Sequence, residues 1–210
     1  MAKRVSAQFI VALGIIFIGG GLVGGEFFLV KWYPAHKERV AEEVLTPMPY
    51  RNDGMGLTIQ VAQGLYGKLE NFPGGVKFSR FSFLGVGPSL TITGQPNPDK
   101  AFEFDPHLLA KWQTLGVEQD IPRYNFQRTD INKRDGALIW QQKGHFMWLT
   151  AHVISPDRIV EASCSPGRSD ETLFLKACEQ SLRSIQLDGA FPPEQNPSDQ
   201  IIDISPRQKK

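Results

Sequence analysis

The sequence has no surplus of either charge. Lys and Arg number 23 against 22 for Asp and Glu, so no global field favours nucleic acid or an acidic substrate, and any binding must be local. Cysteine is scarce, with only Cys164 and Cys178, and neither CxxC nor HExxH occurs. The histidines, His36, His107, His145 and His152, are scattered, so the usual signatures of metal catalysis are missing. GxSxG is absent as well. GVGPSLTITG lacks the lysine and the helix start of a phosphate-binding loop, and no residue pattern supplies Cys164 with an activating base. These absences lead us to expect a protein that is not an enzyme and carries no cofactor.

What is present is one long apolar run, VSAQFIVALGIIFIGGGLVGGEFFLVKWY, from Val5 to Tyr33. Phe9 to Gly25 is uncharged, and as a helix it covers about 26 Å, which Phe27 to Val30 extend towards the ~30 Å of a bilayer core. Lys31, Trp32 and Tyr33 have the character of an interfacial belt. Gly20 and Gly24, and Gly21 and Gly25, stand four apart and clear one strip of the helix for close approach of another helix. Glu26 on the same half is either solvated at headgroup level or a polar contact to another membrane subunit. A cleaved signal peptide, cut before Glu26, is the competing account; the run continues past that site, which favours an uncleaved anchor.

Charge alone sets the topology poorly, because Lys3 and Arg4 on one side face Lys31, Lys37 and Arg39 on the other. The cysteines bear on the same question. Cys164 ends the strand-like run RIVEASC, and Cys178 lies within the helix-like run TLFLKACEQSLRSI. A loop that folds back brings such a pair together, and a disulfide is the expectation, with two buried thiols as the alternative. A disulfide places the soluble domain on the periplasmic side of the inner (cytoplasmic) membrane, as a single-pass protein.

Along the chain, residues 1–33 form the anchor, 34–48 a juxtamembrane helix or stalk, 49–187 the domain and 188–210 a proline-containing tail. Pro47 and Pro49 end the stalk helix, Tyr50 to Gly56 reads as turn chemistry, Leu57 to Val61 as a strand and Gly64 to Gly75 as a loop. Strand-like runs follow at Val76–Leu84 and Leu90–Thr93, and Gln95–Lys100, with two prolines, is not expected to be a central strand. Asp105-Pro106 caps a short helix that stops at Gly116, with Leu109 and Trp112 in its core face. Strands at Asn125–Asp130, Ala137–Lys143, Phe146–Val153 and Arg158–Ser163 follow, with a tight turn at Lys143-Gly144. Asp130, Lys133, Arg134 and Asp135 read as a solvated charged turn. In the last helix Phe174, Cys178, Leu182 and Ile185 repeat at helical spacing. The hairpin is apolar on both faces, so it is either covered twice or leaves Trp140, Phe146 and Trp148 as a docking surface.

The opening YRNDGMGLTIQV, the central antiparallel strands and the ending RIVEASC followed by ETLFLKACEQSLRSI resemble the PsbP-like family, which shares its fold with the Mog proteins. The resemblance covers about Pro49 to Leu187. It implies an α+β chain in which an α/β/α sandwich surrounds a mainly antiparallel sheet, used for binding, with photosynthetic membranes as a setting. The resulting expectation is a non-enzymatic accessory or scaffold subunit of a membrane complex. Its partners would be integral membrane subunits, through the helix, and the bilayer, with no nucleic acid. A free-standing extracytoplasmic module for a small ligand or envelope component is the alternative.

Overall fold

The computed structural model describes residues 28–81, 87–167 and 171–189. The expected anchor therefore lies almost wholly outside the described residues, and so do Gly20, Gly21, Gly24, Gly25, Glu26 and the tail from residue 190. Among the described residues no helix is long and apolar enough to cross a membrane.

A π-helical turn, Phe28–Trp32, runs into α1 (Tyr33–Leu45). Pro34 is preset for a first helical turn, and the Ala, Glu, Lys and Arg that follow are good helix formers. Pro47 forbids continuation, and Thr46 closes the last turn by donating from its hydroxyl to the Glu42 carbonyl at 2.8 Å. Val44 is the only buried residue of α1. Its side chain rests on Gly64, where an added Cβ would come within 2.5 Å of Val44 Cγ1.

β1 (Pro47–Asn52), β2 (Leu57–Ala62) and β10 (Gln186–Leu187) form a three-stranded antiparallel sheet with β2 at its centre. The turn expected over Tyr50 to Gly56 is confined to the short 3-10 turn Asp53–Met55 and Gly56, and Tyr50–Asn52 belong instead to β1, which starts at Pro47. An edge position tolerates the two prolines, since half its N–H groups have no ladder partner to lose. β10 pairs with only two residues of β2. The serines of α3 (Glu171–Arg183) continue the ladder: Ser184, just past its end, accepts from Gln60 N at 2.8 Å, and Ser181 accepts from Ala62 N at 2.9 Å.

The second sheet has seven antiparallel strands in the order β3 (Lys68–Phe72), β4 (Gly75–Ser79), β5 (Ser89–Pro96), β9 (Arg158–Ser165), β8 (Phe146–Ile154), β7 (Arg134–Lys143) and β6 (Arg123–Ile131). β3 replaces the loop expected at 64–75. It is a short, largely exposed edge strand with no apolar alternation to announce it. β5 runs on through Gln95 and Pro96, where the proline is the last residue and interrupts nothing.

Register sorts the sheet's two faces. Leu149 pairs with Cys164 and His152 with Glu161, so Cys164 and Glu161, three apart, point to opposite sides. The Cys164 face carries Val76, Phe78, Leu90, Ile92, Leu138, Ala151 and Val160, all fully buried, against β2, α3 and the tip of α1. The disulfide between Cys164 and Cys178 joins β9 to α3 across this core. α2 (Pro106–Glu118) lies on the other face. The arrangement is an α+β sandwich with antiparallel sheets and helices on both sides of the larger one.

Candidate functional site

The second face of the large sheet is only partly covered, and the cover is held in place by polar contacts. The Asp105 carboxylate accepts from His107 N at 2.6 Å and caps α2. Buried Asn97 donates from Nδ2 to the carbonyls of Ala101 and Ser155, at 2.9 and 2.8 Å. Phe104 N donates to Asp135 Oδ2 at 2.8 Å, and Arg128 holds that carboxylate from Nε at 2.8 Å while reaching Glu103 at 3.1 Å. Midway along α2 the Tyr124 hydroxyl donates to the Trp112 carbonyl. Gly116 is buried beneath Tyr124, so it serves close packing and the helix continues to Glu118 instead of stopping there.

These contacts lay Trp112 over His152, ring centroids 4.2 Å apart, with Phe104 edge-on to the indole at 5.1 Å. Between this aromatic wall and the β3–β4 turn at Pro73 and Gly74 lies a cleft of about 430 Å³. Its floor is a cross-strand row in which Thr93 pairs with Glu161 and Glu161 with His152. The His152 side chain is 12% exposed, and burial pushes its pKa down to about 4, so the ring is neutral at ordinary pH. The Glu161 carboxylate stands 3.9 Å from Nδ1 and is 55% exposed. The cleft thus combines a neutral imidazole, a carboxylate and an aromatic wall. Trp112 was expected in the core face of its helix and His152 only as one of four scattered histidines; what brings the two rings together is the packing of α2 on β8.

No family model matches the chain, and no curated protein matches it. Among solved structures it is similar to the solution structure of cyanobacterial PsbP (CyanoP) from Synechocystis sp. PCC 6803, with 11% identity and a TM-score of 0.47 over 69% of this chain and 94% of that one. The likeness is one of fold level only and transfers no residue's role.

The expected disulfide of Cys164 and Cys178 is formed, and both residues are fully buried. The three aromatics of the suggested docking surface do not share a face. Phe146 and Trp148 stack at 5.9 Å on the α2 side, whereas Trp140 pairs with Leu149 and packs against the core. Trp140 lines a different hollow, of about 440 Å³, with Tyr124, Asn125 and Met147. Arg134, expected in a solvated turn, is 2% exposed and donates from Nη2 to the carbonyls of Leu187 and Gly189 at 3.0 and 2.9 Å. Its burial comes from β10, more than 50 residues away in sequence, which no local pattern reveals.

Proposed function

We propose that the chain is a non-enzymatic accessory subunit of a larger membrane complex, held at the bilayer by residues 1–33 with its domain on the periplasmic side. The observation that carries this reading is the start of the described chain. Leu29 and Val30 are each 65% exposed, at the head of a helix whose only buried residue is Val44, in its last turn. Apolar side chains held away from the domain's own core favour a non-aqueous environment, at about 25 cal/mol per Å² removed from water. α1, about 20 Å long, separates that environment from the domain. The disulfide supports an oxidising compartment. The partner-recognition surface is then the strip of Gly20, Gly21, Gly24 and Gly25 with Glu26, and the photosynthetic setting is the one implied by the resemblance in sequence.

The test is to exchange Phe9–Val30 for a plain leucine helix and run mild-detergent extracts on native gels. Loss of a high-mass species with retention in the membrane fraction is expected. Unchanged assembly would move the interface into the domain, and a free monomer in the unaltered protein would end the proposal.

A further inference from the structure

We propose that the cleft under α2 binds a small organic cation, its ammonium group on the Glu161 carboxylate and its apolar body against Leu108, Ile159 and the Phe104–Trp112 wall. Charge complementarity carries the choice. Among the described residues that line the cleft, Glu161 is the one carboxylate, and no Lys or Arg lines it. The imidazole beside it is neutral above its depressed pKa, so it leaves the carboxylate charge uncompensated. A cation gains an attraction that is moderated by the carboxylate's exposure, a neutral analogue forfeits it and an anion is repelled.

The cleft is built before any ligand arrives. Asn97, Asp135 and Arg128 fix the loop that carries Phe104, and Tyr124 fixes the helix that carries Trp112. A preformed wall lowers the ordering cost of binding. The cavity, about 430 Å³, falls within the size range of small-molecule sites. Thr93 donates from its hydroxyl to the Glu161 carbonyl at 3.4 Å, which fixes the backbone from which the carboxylate projects. This inference is independent of the anchor's role, because it concerns a different face and different residues.

The experiment uses the full chain in lipid nanodiscs, with empty nanodiscs subtracted, and calorimetric titration with phenethylamine, 2-phenylethanol and phenylacetate. These three share a ring and differ in charge. The amine should bind saturably, the alcohol at least about tenfold more weakly and phenylacetate not at all. Glu161→Gln should weaken the amine by about tenfold and leave the alcohol unchanged, since the site is half exposed and the exchange keeps its shape. Equal binding of the three compounds overturns the proposal. So does an equal loss of amine and alcohol in E161Q, amine binding unaffected by E161Q, or no saturable amine binding up to about 10 mM.

Discussion

The imidazole of His152 and the indole of Trp112 lie stacked, 23° from parallel, so the helix covering the second face of the sheet rests on a titratable ring. Burial lowers that ring's pKa from the ordinary 6.5 to about 4 because the charged form would lose its water. Glu161 at 3.9 Å favours the charged form, but it is more than half exposed and screened by solvent, so burial prevails.

Stability should therefore fall with acid in a defined window. The folded pKa lies below the unfolded one, so the contribution of the neutral ring is complete above about pH 6.5 and is lost as the pH falls towards 4. The difference corresponds to about 3 kcal/mol across that window. Urea unfolding from pH 7.5 to 4 should show a steeper decline for the natural protein than for His152→Gln. Parallel curves would place the acid sensitivity elsewhere.

Removing the disulfide should cost about 3 kcal/mol, since it closes a loop of 14 residues' separation in the unfolded chain. The paired substitution C164A/C178A should lower the denaturant midpoint accordingly and leave the circular dichroism of the fold intact. Both cysteines are fully buried, so reductant should open the bond only when the chain unfolds. Rapid reduction under native conditions would contradict that burial.

Arg134→Met should cost about 2–4 kcal/mol, because it leaves the carbonyls of residues 187–189 without their donor. Hydrogen exchange is the informative readout: the amides of β10 and β2 should lose protection before those of β8 and β9. Uniform loss across both sheets would show that Arg134 does not act through the small sheet.

Gly116→Ala opposes two effects of known sign. Alanine gains about 1 kcal/mol of helix propensity. Its Cβ, however, would lie 2.4 Å from Cβ and Cγ of Tyr124, and overpacking of that kind costs about 1–3 kcal/mol. The variant should melt lower and shift the emission of Trp112 as α2 lifts. A raised melting temperature would show that Tyr124 yields without strain.

Local signals made much of this fold legible from residues alone. The Asp105 cap, the turn at Gly144 with φ of +62° and the core face of α3 from Phe174 to Leu182 all depend on neighbours within a turn or two. β1, β3 and β10 were not legible. They are short edge strands, and in β1 the prolines read as the end of a helix until pairing with β2 is known. The cleft was illegible for a related reason: Thr93, Trp112, His152 and Glu161 belong to four separate elements, and only register and the pinned loop bring them together. Trp140, Phe146 and Trp148 looked like one patch because neighbours along a hairpin were grouped without regard to which face each takes.

The dependence of β2 on α3 sets a timetable for synthesis. Gln60 and Ser184, joined through a hydrogen bond, are 124 residues apart. At about 5–20 residues per second, β2 is made on the order of ten seconds before the helix and strand that complete its ladder. Throughout that interval β2 has β1 on one edge only, and Leu57, Ile59 and Val61, fully buried in the finished domain, lack the rest of their cover. The open edge of β2 closes only once α3 and β10 have been made, so the small sheet is the last part of the domain to be completed during synthesis.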